Sequence, residues 1–305
     1  MIRHALIACG LALWPSLVAA APSEVLRSEH FVSRALGHEL TYALYLPADL
    51  DAAVRLPVIY LLHGADGRGL DWVDQGHVQE VADRLIAEHR MPKAIIVMPD
   101  AHNSWYVDSP PGGMGAMATA LERDLPDWIE ATYPARSARS ARAVAGYSMG
   151  GFGALDFALA HPQRYAAAAA LSGAFWSRIT PDMTVDAAWN NRVQRLFQGA
   201  FGDPFDPRRF VANSPMGAID HMPGTAPHPA LLLICGRQDD YHLDQEQAIM
   251  QQRLAAAHLA VEAELIPGGH DWDTWATALP TVLQFLGRHL QEPATASAAA
   301  PAGMP

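Results

Sequence analysis

The sequence predicts a three-layer α/β domain, with a mostly parallel central sheet, antiparallel N-terminal strands and helices on both faces. Three observations carry this. Continuous apolar runs such as LPVIYLLHG and ALLLICG read as strands covered on both faces. Helix-like segments separate them, and such alternation gives parallel strands joined by right-handed crossovers. The stretches that follow the runs are rich in Gly, Asp and Trp and include His63 and His270. They fall at the carboxyl ends of the strands, where sheets of this kind collect their sites.

The elements follow in order. HFVSRAL and LTYALYLP flank Gly37-His38 as an antiparallel hairpin. LPVIYLLHG is the first buried strand, followed by a helix over residues 76–89. KAIIVMPD is the second buried strand, and MGAMATALERDLPDWIEATYP is a helix that Pro134 stops. ARAVAG leads into a helix over 150–161. YAAAAALSG reads as a fourth strand, with helix as the alternative that its alanines allow. ALLLICG precedes a helix over 244–258. VEAELIPGG precedes a closing helix, TWATALPTVLQFLGRHL, interrupted by Pro280. No internal repeat is present. A long insert at 174–229 is expected to shape a pocket wall rather than form a domain of its own. One domain is therefore expected over 22–290, with a disordered Ala/Pro-rich tail at 291–305.

Composition excludes several classes. Half of the 305 residues are hydrophobic and only 17% are charged, which suits a large packed core. A formal net charge of −11 without a Lys/Arg cluster argues against nucleic acid as a partner. The 14 histidines are scattered, with no zinc-type His or Cys pair, so neither a metal nor an organic cofactor is expected. Residues 1–21 have the layout of a secretory signal peptide: a basic start, an apolar stretch and small residues at 19–21. Export to the periplasm or medium is the expectation, with no membrane association after cleavage. Beyond that segment no run is long and apolar enough to span a bilayer. Cleavage would leave Cys235 as the lone thiol, in a strand and expected to be buried.

GYSMGG, residues 146–151, carries the chemistry. Gly-x-Ser-x-Gly between a strand and a helix holds Ser148 on a tight corner, with its hydroxyl out of the turn and a helix N-terminus behind it. A serine needs a base, and the base an orienting acid. Asp239 and Asp240 follow the fifth parallel strand, and His270 follows the sixth. That is the order Ser, Asp, His found in hydrolases of this architecture. A developing oxyanion needs two main-chain N–H donors. Met149 supplies one, and Ala65, in the loop after LPVIYLLHG, supplies the other. His63 reads as a structural brace for that loop.

Together, LPVIYLLHG, NSWYVDSP, GYSMGGFGAL, RYAAAAALSGAF, CGRQDD and GGHDWDTW resemble the branch of the α/β-hydrolases named the putative esterases. Bacterial feruloyl esterases, S-formylglutathione hydrolases and mycobacterial mycolyltransferases belong to it. The resemblance runs from Ser28 to Leu290. It implies an α/β-hydrolase fold, Ser148 as nucleophile, His270 as base, and Ala65 and Met149 as oxyanion donors. The family's pattern of a glycine followed three residues later by the acid matches Gly236 and Asp239, so the resemblance implies Asp239 rather than Asp240 as the acid. It also implies serine carboxylesterase activity through an acyl-enzyme on small-molecule or carbohydrate-linked esters. The alternatives are a mycolyltransferase-type acyltransferase and a thioesterase like the S-formylglutathione hydrolases. Trp72, Trp105, Tyr106, Trp176 and Trp272 fall in the same loops, and Trp105, Tyr106 and Trp272 are the pocket candidates for an aryl or sugar-linked ester.

Overall fold

In the computed structural model, residues 21–222 and 227–291 are described. The expected signal segment and the Ala/Pro-rich tail lie outside them, apart from their boundary residues. One eight-stranded sheet runs through the molecule in the order β1-β2-β4-β3-β5-β6-β7-β8. β1 (Glu24–Val32) and β2 (Glu39–Leu46) are the antiparallel hairpin, and β2 also pairs antiparallel with β4 (Ile95–Pro99). β3 (Val58–Leu62), β4, β5 (Arg142–Tyr147), β6 (Ala167–Leu171), β7 (Ala230–Gly236) and β8 (Val261–Ile266) are mutually parallel.

The alternation of each strand divides the core. Tyr60 and Leu62 join one apolar cluster, while Ile59 and Leu61 join another on the opposite face. This is the three-layer packing that two-sided apolar strands require. The alanine-rich run is a strand. It lies between β5 and β7 with every residue buried, so pairing on both edges overrides the helical propensity of alanine.

The helix expected over 76–89 is α2 (Val78–Ala87), preceded by the short α1 (Asp71–Asp74) and entered through His77 in the left-handed region, φ +49°. The later helices differ from expectation at two places. The next segment comprises α3 (Met117–Thr119), a π-turn over Ala120–Asp124, and α4 (Leu125–Thr132). Pro126 accounts for the widening, because its ring has no N–H and crowds the carbonyl of Glu122. Arg164 donates to that carbonyl instead. After α5 (Met149–Ala160) and the helices described below, α10 (Trp272–His289) runs through Pro280 without interruption. An interior proline costs about 3 kcal/mol. Trp275, Ala278, Leu279, Val282, Leu283, Phe285 and Leu286 are buried on that helix, at about 1.5–3 kcal/mol for each large side chain. Packing wins.

The insert holds α6 (Ala187–Phe197), α7 (Pro207–Ala212) and α8 (Pro215–His221), capped by the side chains of Asp186, Asp206 and Ser214. It is fused to the main core. Phe197, Phe201 and Phe210 form one aromatic cluster with Phe152 of α5 and with Trp105, whose ring lies 4.8 Å from Phe197 and 5.4 Å from Phe152. The remaining helix, α9 (Leu243–Ala256), follows β7.

Strand order places the site. From β3 the chain crosses to β4 on one side, then returns to β5 on the other. The loops leaving β3 and β5 therefore diverge from neighbouring strand ends, opening a crevice. Leu62 pairs with Gly146, which sets the two loops side by side.

Candidate active site

Ser148 sits between β5 and α5 with φ +55° and ψ −117°. A non-glycine residue held there stores about 1–3 kcal/mol of strain, which the surroundings must support. Ser148 N–H donates to Leu171 O at 2.8 Å, and Ser148 O accepts from Phe152 and Ala174. The flanking glycines are required by close approach. A Cβ on Gly146 would collide with the main chain of Gly150, and one on Gly150 with the carbonyl of Leu62.

His270 Nε2 lies 3.0 Å from Ser148 Oγ, and its Nδ1 lies 2.8 Å from Asp239 Oδ2. With the proton on Nδ1, the ring donates to Asp239 and can accept from the serine hydroxyl. Asp239 is buried, and its Oδ1 accepts the N–H groups of Tyr241 (3.0 Å) and Leu243 (3.4 Å). Burial pushes its carboxyl up. The hydrogen bond and charge of His270 and the two N–H groups outweigh this and hold it below the ordinary carboxylate value. Asp240 is exposed. A Cβ on Gly236 would collide with the carbonyl of Gly268, so glycine there lets the acid and histidine loops meet. The Gln238 amide oxygen and the Gly268 N–H tie those loops at 2.8 Å.

Ala65 lines the cavity that lies over Ser148, and Met149 opens α5, where the first N–H groups have no partner within the helix. His63 is fully buried and braces the loop as expected. Its Nε2 accepts Ala101 N–H at 2.9 Å, so Nδ1 carries the proton and donates to Gly64 O at 2.7 Å. Burial lowers its pKa and keeps it neutral.

The cavity over Ser148 measures about 400 Å³. Trp105, Trp176 and Trp272 line it, as do Tyr241, Leu196 and Trp275, which the sequence reading did not single out. Trp105 is 1% exposed, and its Nε1 donates to Leu196 O, so it is a wall tied to the insert. Tyr106 is placed elsewhere. Its ring packs against Gly153 beneath the site, and its hydroxyl donates to His63 O at 2.8 Å. Trp72 is completely buried, edge-on to Tyr147 and Trp272. Leu196 was beyond sequence reach because the path of the insert was unknown. The aromatic character of GGHDWDTW could have signalled Trp275.

A second cavity of about 410 Å³ lies between α5, the π-turn and α8, lined by Glu122, Asp156 and His161 among others. The Thr119 hydroxyl there donates to Asp108 Oδ2 at 2.6 Å. Among the described residues, no group of three or more His, Cys, Asp or Glu side chains is placed to hold a metal ion.

Residues 33–286 match the model of the family described as Putative esterase. The chain belongs to that family. It is 30% identical over 262 residues to Esterase Rv1288 of Mycobacterium tuberculosis, an alignment covering 79% of this chain and 54% of that protein. The chain thus spans about half the length of that relative. It is 24% identical over 277 residues to an acetyl esterase of Caldicellulosiruptor saccharolyticus, covering 85% of this chain and 97% of the relative. A solved ferulic acid esterase superposes with a TM-score of 0.69 at 25% identity, covering 89% of this chain and all of the other. The fold is that of the α/β-hydrolase esterases.

Proposed function

We propose that this esterase-family protein is an exported serine carboxylic-ester hydrolase acting through an acyl-enzyme. The observation that carries the reading is the unbroken chain from Ser148 Oγ through His270 to Asp239, at 3.0 and 2.8 Å, with the serine on a strained corner. In the proposed reaction Ser148 Oγ attacks the ester carbonyl carbon while its proton passes to His270 Nε2. Asp239 holds the ring and stabilises the imidazolium. The N–H groups of Ala65 and Met149 receive the oxyanion. The imidazolium proton then goes to the leaving alcohol, and water repeats the steps to free the acid and Ser148.

Aryl or sugar-linked esters, such as feruloyl or acetyl esters, are the proposed substrates. The tryptophan-lined cavity supports this, as do the ferulic acid esterase and acetyl esterase among the similar proteins. Export rests on the signal-like residues 1–21. The test is Ser148→Ala. It should abolish turnover of a short p-nitrophenyl ester and labelling by a fluorophosphonate while Tm is retained. Undiminished turnover would refute the assignment.

A further inference from the structure

The loop that carries Ala65 is held from outside by the loop after β4. Gly69 N–H donates to Asp100 Oδ1 at 2.6 Å, and Tyr106 Oη donates to His63 O at 2.8 Å. The bonds nearest Ala65 hold the peptides on either side of it. In a trans peptide the C=O and N–H point in opposite directions. The Gly64 carbonyl is fixed by His63 Nδ1–H at 2.7 Å and Gly67 N–H at 3.1 Å, so the Ala65 N–H of that same peptide faces the other way. The following peptide is fixed by Asn103. Its Oδ1 accepts Asp66 N–H at 2.7 Å, and its Nδ2 donates to Asp66 Oδ1 at 2.6 Å. Asp66 adopts φ +58°, a conformation that the paired bonds to Asn103 secure. Asn103 is itself 9% exposed, anchored between the end of β4 and Trp105.

We propose that Asn103 is a positioning residue for the oxyanion donor: by gripping Asp66 at two points it fixes the 65–66 peptide, so that the main chain at Ala65 is held from both sides and the Ala65 N–H of the 64–65 peptide stays aimed at the developing oxyanion. This rests on the reading of Ser148 as nucleophile and Ala65 as donor. Asn103 touches no reacting atom. Its contribution is to the transition state, where the donor must already be in place, rather than to ground-state substrate binding. A donor displaced by about 1 Å can cost roughly 100-fold in rate.

The experiment compares wild type with Asn103→Ala, Asn103→Asp, and the exchanged pair Asp66→Asn/Asn103→Asp. Steady-state kinetics on a p-nitrophenyl ester, fluorophosphonate inactivation rates and Tm are recorded for each. In the exchanged pair, residue 66 supplies the amide donor and residue 103 keeps an acceptor for the main-chain N–H, so the two-point grip is preserved. In Asn103→Asp alone, two carboxylates face one another. The proposal expects roughly 10- to 100-fold loss of kcat in Asn103→Ala and Asn103→Asp, with KM within about 2-fold and a parallel fall in inactivation rate. The exchanged pair should recover at least about 10-fold in kcat over Asn103→Asp. If Asn103→Ala fails to fold, Asn103→Asp and the exchanged pair carry the test. A kcat within about 2-fold of wild type in the folded single variants, a loss confined to KM, or an exchanged pair no better than Asn103→Asp would each overturn it. Turnover surviving in Ser148→Ala would instead refute the reading beneath it.

Discussion

Asp239 divides its carboxylate between two tasks: Oδ2 meets His270 Nδ1 at 2.8 Å, while Oδ1 is held by the main-chain N–H groups of Tyr241 and Leu243. The second task fixes the rotamer that the first requires. An amide at this position can keep one set of bonds but not both, because an amide nitrogen facing Nδ1 would favour the wrong imidazole tautomer. Asp239→Asn should lower kcat by about 10³- to 10⁴-fold with little change in Tm. Asp240→Asn, at the exposed neighbour, should stay within about 2-fold. Steady-state kinetics of the two variants settle which aspartate is the acid.

His63 makes stability depend on pH in a defined direction. Its pKa is lowered, chiefly by burial, against the pull of the Gly64 carbonyl and the charges of Asp100 and Asp71. Below about pH 6.5 the unfolded chain binds a proton that the folded chain refuses. His63 therefore contributes stability above that pH and loses it as pH falls towards the folded value, at up to about 1.4 kcal/mol per pH unit. Tm measured from pH 7 to 5 should fall more steeply in wild type than in His63→Gln.

Asp156 acts with the opposite sign. Burial, then the charge of Glu122, raise its carboxyl to about 7. The folded state binds this proton more tightly than the unfolded one. The contribution is thus complete below about pH 4 and is lost as pH rises through about 7. Asp156→Asn should raise Tm relative to wild type more at pH 8 than at pH 5. Calorimetry at the two values checks this.

Gly153 and Tyr106 pack so closely that a methyl group at residue 153 would lie 2.6 Å from Tyr106 Cβ. Gly153→Ala should destabilise by about 1–3 kcal/mol, lowering Tm by roughly 2–4 °C per kcal/mol. A Tm equal to wild type would contradict the packing.

Trp272 faces the cavity with its ring 4.8 Å from that of Tyr147. Trp272→Ala should lower kcat/KM for a feruloyl ester roughly 10-fold more than for an acetyl ester, since the aryl group loses a ring partner that acetyl never had. Equal losses would assign Trp272 to packing alone.

Much of this architecture was legible in the sequence because its signals are local. Ser148 lies on a strand–helix corner marked by glycines, and Asp239 and His270 each directly follow a run that reads as a strand, the buried β7 and the edge strand β8. Where the reading failed, distant atoms decided. The Glu122 carbonyl that Pro126 displaces at the π-turn is met by Arg164, 42 positions away. Trp105 and Tyr106 are adjacent in sequence yet point to different places, one to the cavity and one beneath the loop that carries Ala65, both with φ near +57°. Composition cannot separate two such neighbours. Asn103 was invisible for a related reason: its significance lies in a partner, Asp66, 37 residues earlier.

The aromatic cluster joining the insert to Phe152 bears on how this pocket can diversify. Phe152 stands on the helix that begins at Met149, and Phe197, Phe201 and Phe210 of the insert share its packing. A mutation that reshapes the inner side of the insert is transmitted to the element behind Ser148. Change in the pocket's shape is therefore channelled to outward positions such as Trp176 and Leu196, which line the cavity without belonging to the buried set. A library that varies these two while keeping the phenylalanines should retain more folded, active clones than one that varies the phenylalanines.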